Sequence, residues 1–237
     1  MDGMRTTGGA AQLERTVSAP QGTVRIPRAD AAWSGRPKRA MDLVLAVALM
    51  VPLVPILAAI ALLLRITSGP QVLVRHPRIG RNGQVFPCLK FRTMVLNSDR
   101  VLATHLERNE AARREWQQRR KLTDDPRVTP VGRLLRRSSL DELPQILNVL
   151  RGEMSLVGPR PVVQAELDEH YRGEAAHLYC SVRPGVTGLW QVSGRSGLAY
   201  HDRVRLDVEY VRNASLALDL RILCRTPLVV LRARGAC

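Results

Sequence analysis

Aromatic side chains are scarce, at 4% of 237 residues, and so are acids, with 21 Asp and Glu against 36 Lys and Arg. Few aromatics leave few platforms on which bases could stack, and no zinc-finger or basic-zipper spacing appears, so nucleic acid is not the expected partner. Cysteine is equally sparse: Cys88, Cys180, Cys224 and Cys237 stand far apart, with no C-x-x-C pair and no histidine cluster beside them. Neither a disulfide framework nor a zinc site follows, and the thiols read as reduced and cytoplasmic. A cleavable signal peptide is not expected, because the first long apolar run begins only after Met41. What the chain does have is a formal charge of +15, with arginines spread along its whole length. That balance favours polyanionic partners such as anionic headgroups or diphosphates.

The length suits one catalytic body with an appendage. Residues 1–36, rich in Gly, Ala, Thr and Arg, read as a disordered basic arm. Residues 37–66 read as a membrane helix, because positions 43–64 carry no charge and lie between Asp42 and Arg65. As one helix the apolar run would rise about 33 Å, enough for the hydrocarbon layer. Pro52 and Pro55 each remove an amide bond four residues back, so a sharp kink near Pro55 is expected. The nine residues before Pro52 cover only about 14 Å. With Arg36, Lys38 and Arg39 before the run and Arg65 after it, a re-entrant hairpin is favoured, and a kinked full span is the alternative.

Residues 67–237 form the expected cytoplasmic catalytic domain. Segments 71–79 and 84–91 flank Arg81-Asn82-Gly83, and Asn-Gly is a tight-turn signal, so a β-hairpin is expected. Residues 96–121 read as a solvated helical excursion, 131–150 as one helix or two joined at an acidic pair, and 215–231 as an amphipathic surface or core helix. The fold class is therefore α+β, mostly helical.

The chemistry concentrates in Arg136-Arg137-Ser138-Ser139-Leu140-Asp141-Glu142-Leu143-Pro144. Ser139 and Glu142 have the spacing of a capping box, and Pro144 is tolerated only in a first turn, so a helix is expected to begin within a residue of Asp141. Two carboxylates beside free amides and arginines also form a ready site for a phosphate or a phosphate-bound metal. Lys90 and Arg92, two apart on one strand, are expected to share a face. Gly158-Pro159-Arg160-Pro161 holds an arginine between rigid prolines, and residues 183–195, from Arg183 to Arg195, form a glycine-punctuated loop of the kind that lets backbone approach a ligand.

The order of these stretches resembles the bacterial sugar transferase family, the monotopic polyprenyl-phosphate phosphoglycosyl transferases. Lys38 to Asp42, the central Pro55, Lys90 to Met94, Asp124 to Thr129, Ser139 to Gln145, Arg151 to Ser155, Gly158 to Pro161 and Arg183 to Gly194 carry the resemblance. Phe86 to Lys90 looks most like the short exopolysaccharide-initiating galactose-1-phosphate transferases. One departure is Val54-Pro55 where the family commonly has Ser-Pro, which removes a hydroxyl but keeps the proline. The resemblance implies transfer of a sugar-1-phosphate, galactose-1-phosphate favoured, from a UDP-sugar to undecaprenyl phosphate at the cytoplasmic face of a bacterial inner membrane. It implies Asp141 as nucleophile and Mg²⁺ ligand, Glu142 as its helper, and Lys90, Arg92, Arg136, Arg160 and Arg183 as phosphate or substrate binders. Mg²⁺ is the implied cofactor, membrane lipid an implied partner, and a homodimer one assembly it allows. The rival reading is a basic membrane-surface scaffold that kept the fold without the activity.

Overall fold

The computed structural model describes residues 35–119, 122–194 and 199–231. The expected arm up to residue 34, and Arg195 at the end of the glycine-punctuated loop, lie outside the described residues.

Helix α1 spans Arg36–Ser68, opening with Pro37 in the first turn, where no amide needs a partner. It is assigned as one helix through Pro52 and Pro55, so the expected break at Pro55 does not divide the element. The two prolines remove two amides, but the flanking turns keep the helix continuous across both. It is long and apolar enough to cross a membrane. Eight large apolar side chains between its ends are exposed, Val44, Val47, Leu49, Val51, Val54, Ile56, Leu62 and Leu63, with Val51 at 77% and Val44 at 68%.

Both ends of α1 grip one body. At the start, Lys38 Nζ meets Asp219 Oδ2 at 2.6 Å, and Arg39 donates to the carbonyls of Val149 and Leu150 at 2.6 and 3.1 Å. One turn on, buried Asp42 accepts from Ser155 Oγ and from the Leu156 amide. At the other end Ile60 and Leu64 pack with Phe91 and Leu135.

Strands β1 (Leu73–Ile79) and β2 (Val85–Phe91) form the expected antiparallel hairpin, with Leu73 opposite Phe91 and Ile79 opposite Val85. Asn82 and Gly83 both take positive φ, the conformation that the Asn-Gly signal requires. Helices α2 (Ser98–Arg108) and α3 (Glu110–Arg119) are the expected excursion, largely exposed. Trp116 stacks against the Arg127 guanidinium at 5.0 Å.

Helix α4 (Pro130–Arg137) is followed by a single 3-10 turn over Leu140–Glu142, then by α5 (Gln145–Arg151). The acids therefore stand between two helices. Beyond them, β3 (Ser155–Val157) pairs in parallel with β4 (Gly185–Thr187), a two-stranded element the sequence reading did not anticipate. Its glycines serve backbone contact within the chain: a Cβ on Gly185 would lie 2.1 Å from the Gly158 amide, and one on Gly188 would lie 2.1 Å from the Gly158 carbonyl. Helices α6 (Gln164–His170), α7 (Glu174–Ser181), α8 (Leu189–Ser193), α9 (Tyr200–Asn213) and α10 (Leu216–Leu231) complete the body. The main core joins Ala46 of α1, Phe86 and Cys88 of β2, Ile146 and Val149 of α5, and Ile222 of α10.

Candidate functional site

Strand β2 carries Lys90, and the strand is clamped on its free edge by one side chain. Asn148, wholly buried in α5, accepts from the Leu89 amide at 3.0 Å and donates to the Pro87 carbonyl at 2.8 Å. A side-chain amide thus replaces the missing neighbour strand and locks β2 to α5 just before Lys90.

The segment after Lys90 is stitched to the start of α4. The Thr129 amide donates to the Thr93 carbonyl at 3.0 Å, and Thr129 Oγ1 caps the helix by accepting from the Gly132 amide at 2.9 Å. Only glycine fits at 132, since a Cβ there would stand 2.1 Å from the Thr93 carbonyl oxygen. Arg136, about one turn on from Gly132, donates from Nε to Thr93 Oγ1 at 2.9 Å. This stitching sets α4, and the acids that follow it, against Lys90.

Ser139, two residues past the end of α4, lies in the left-handed region at φ 57°, a conformation uncommon for a non-glycine residue and often found where a site is held in a fixed shape. Its side chain makes no cap bond, so the expected capping box is not formed, and α5 begins at Gln145 with Pro144 as the residue before it. The spacing was right for a cap, but the left-handed turn at Ser139 leads into a 3-10 turn before α5. Pro144 still sits where no intrahelical amide is required.

On that turn Glu142 Oε1 meets Lys90 Nζ at 2.6 Å, both half-buried. Burial and the neighbouring Glu142 carboxylate push the Asp141 carboxyl up to about 6, against the pull of Lys90 and Arg136. The cleft beside them is lined by three cations, Arg78, Lys90 and Arg160, with Glu142, Gln145 and Gln191. Such a wall suits a polyanion. Cys88 also lines it, but burial pushes its thiol up to about 11, so it stays protonated and inert at neutral pH. Arg160 lies over the Trp190 ring at 5.3 Å, with Arg203 stacked on the same ring at 4.9 Å. The buried Gln191 Oε1 has no hydrogen-bond partner among the described residues.

Of the residues expected from the sequence, Lys90, Glu142 and Arg160 line one cleft, and Asp141 and Arg136 stand next to it within each other's electrostatic reach. Arg92 and Arg183 are not among the lining residues. Arg92 is buried and donates to the Ser68 carbonyl at the end of α1, and Arg183 Nε donates to the Gly152 carbonyl at 2.7 Å. Arg78, Gln145 and Gln191 had not been singled out. The hairpin alternation held the signal for Arg78, which stands opposite Phe86, two residues from Cys88 on the cleft-lining strand. No three His, Cys, Asp or Glu side chains gather into a metal site among the described residues. The adjacent Asp141 and Glu142 nonetheless fit an ion such as Mg²⁺, which takes one or two carboxylates and draws its remaining ligands from water and phosphates.

The family model for bacterial sugar transferases matches residues 33–233. The chain belongs to that family. The exopolysaccharide production protein ExoY of Sinorhizobium fredii is 50% identical over 202 residues, which cover 85% of this chain and 88% of that protein. An undecaprenyl-phosphate galactose phosphotransferase of Salmonella typhimurium is 46% identical over 84% of this chain and 41% of its own length. A UDP-glucose:undecaprenyl-phosphate glucose-1-phosphate transferase of Escherichia coli is 39% identical over 80% of this chain and 39% of its own.

Proposed function

We propose that this chain transfers a sugar-1-phosphate, galactose-1-phosphate in the first instance, from a UDP-sugar to undecaprenyl phosphate, releasing UMP and starting an exopolysaccharide repeat. The observation that carries this reading is the Asp141-Glu142 pair on a short turn beside a cleft walled by Arg78, Lys90 and Arg160. A phosphoryl centre ringed by negative oxygens repels an anionic nucleophile until cations screen it.

An Asp141 oxygen attacks the sugar-bearing phosphorus, the bond from that phosphorus to the UMP oxygen breaks, and UMP leaves with the electron pair. The resulting acyl phosphate is attacked by a lipid phosphate oxygen, which frees the Asp141 carboxylate and leaves a lipid diphosphate sugar. Asp141 suits the role better than Glu142, whose carboxylate is held by Lys90 at 2.6 Å. A Mg²⁺ held by Asp141 and Glu142 together with the donor diphosphate would offset charge. Arg160 on its tryptophan platform is placed for the nucleotide side, and Gln191 for a polar group of the donor.

The membrane seat is read as re-entrant, with the body on the cytoplasmic face of the inner membrane. It rests on both ends of α1 gripping one body while the apolar surface between them is bare. Single cysteines introduced as Arg36→Cys and Thr67→Cys, in a chain otherwise freed of exposed thiols, should both resist an impermeant maleimide applied to intact cells. Labelling of one end alone would mean a full span.

Release of UMP from a panel of UDP-sugars, with and without undecaprenyl phosphate, tests the activity. UDP-galactose should turn over fastest and only with lipid. Because the nucleophile must be ionised and its carboxyl stands at about 6, turnover should fall as pH drops through about 6. No UMP release from any UDP-sugar would refute the proposal.

A further inference from the structure

A groove of about 250 Å³ runs between α8, α9 and α10, away from the acids. Leu189, Val192, Leu218 and Ile222 make an apolar floor, Arg221 and Arg225 stand on the α10 side, and Glu209 and Asn213 on the α9 side. Neither arginine is ion-paired or hydrogen-bonded to a described residue, and both are exposed.

The order of residues around α10 explains the pair. Counting about 100° per residue from Leu216, Leu220 falls at about 40° and Leu228 at about 120°, Arg221 and Arg225 at about 140° and 180°, and Leu218 and Ile222 at about 200° and 240°. Leu216, Leu220 and Leu228 are exposed at 45%, 44% and 56%. The arginines thus run along the border between a bare apolar arc and the groove floor, the position in which a cation reaches a headgroup while its helix lies in the interface.

We infer that the groove binds the headgroup of a phosphatidylglycerol-like lipid, its phosphodiester on Arg221 and Arg225 and its hydroxyls toward Glu209 and Asn213. Two cations facing one carboxylate leave one net positive charge, the complement of a monoanionic phosphodiester. The acceptor's phosphate is a monoester, near its second ionisation at neutral pH, and the Glu209 carboxylate opposes a dianion. Its reacting phosphate must also reach Asp141, and the groove holds none of the acids or cations of the cleft. Helix α8 is the partition: Gln191 lines the cleft, Leu189 and Val192 the groove.

The inference rests on α10 lying at the bilayer surface, and a direct reading of lipid keeps its failure apart from a failure of the transferase reading. Full-length protein is released from micelles holding equal phosphatidylglycerol, phosphatidylethanolamine and phosphatidylcholine, and weighed by native mass spectrometry. One phosphatidylglycerol should stay bound. The Arg221→Gln/Arg225→Gln double variant should lose that adduct by about tenfold or more, which corresponds to about 1.4 kcal/mol. The Arg221→Lys/Arg225→Lys variant should keep most of it, and the Gln variant should turn over normally in phosphatidylcholine micelles. Equal adducts with all three lipids, or an adduct unchanged in the Gln variant, would overturn the assignment. So would displacement of phosphatidylglycerol by undecaprenyl phosphate with a raised acceptor KM in the Gln variant, which would make the groove the acceptor's.

Discussion

Asp141→Asn is expected to abolish transfer and, at the same time, to make the folded protein more stable. Removing the nucleophile of a two-step transfer should cost on the order of 10⁴-fold in turnover or more. The stability gain follows from the carboxyl's standing at about 6, above the ordinary value of 3.8. The folded state holds the proton more tightly than the unfolded chain does, so ionised Asp141 weakens the fold. Stability associated with this group is full below about 4 and is lost as pH rises through about 6. At pH 7.5 the whole shift corresponds to about 3 kcal/mol, and partial exposure to water reduces that to about 1–2 kcal/mol. Thermal unfolding in detergent should therefore show the Asn variant melting several degrees higher at pH 7.5, about 2–4 °C per kcal/mol for a body of this size. The gap should narrow as pH falls toward 5. A scaffold without activity would keep its cellular role in this variant, whereas polysaccharide synthesis should stop.

Asn148→Ala should be the most damaging change outside the acids. The truncation strips an acceptor from the Leu89 amide and a donor from the Pro87 carbonyl, and it does so at a position with no exposure. Its Nδ2 also donates to Glu153 Oε2 at 2.5 Å, which ties the end of α5 to the same point. Two buried backbone groups left without partners, plus a small cavity, amount to about 3–5 kcal/mol. The melting temperature should fall by about 6–20 °C. Because Lys90 follows directly on the clamped strand, the protein that remains folded at low temperature should also turn over more slowly. That slowing should appear in kcat, with Asn148→Asp keeping part of the clamp through its acceptor oxygen. A variant with wild-type melting behaviour would remove Asn148 from the account of how the site is held.

Much of this arrangement was readable in the sequence, and the misses have physical reasons. The hairpin was legible because Asn-Gly at 82 and 83 has one favoured geometry. The acids were legible because charge, proline and arginine crowd into one short run. The capping box failed because Ser139 answers to the helix before it as well as the one after, and the left-handed turn there is a tertiary outcome. Arg92 was expected beside Lys90 through strand alternation, but β2 ends at Phe91 and the guanidinium turns to the end of α1. The glycine-punctuated loop suggests Arg183 as a ligand group, whereas its Nε is taken up by the Gly152 carbonyl. The cleft draws Arg78, Gln145, Arg160 and Gln191 from four separate stretches, and no local spacing brings those together. Strands β3 and β4 are three residues each, too short to leave a period.

The central claim is that Asp141 carries the phosphosugar. Enzyme mixed with UDP-galactose and Mg²⁺ in the absence of lipid, quenched within seconds because an acyl phosphate is labile, and digested for mass spectrometry reads it directly. The account predicts a hexose-phosphate adduct on Asp141, formed with one equivalent of UMP and discharged by adding undecaprenyl phosphate. A preparation that turns over fully with lipid yet shows no adduct without it, or shows it on Glu142, would contradict the account.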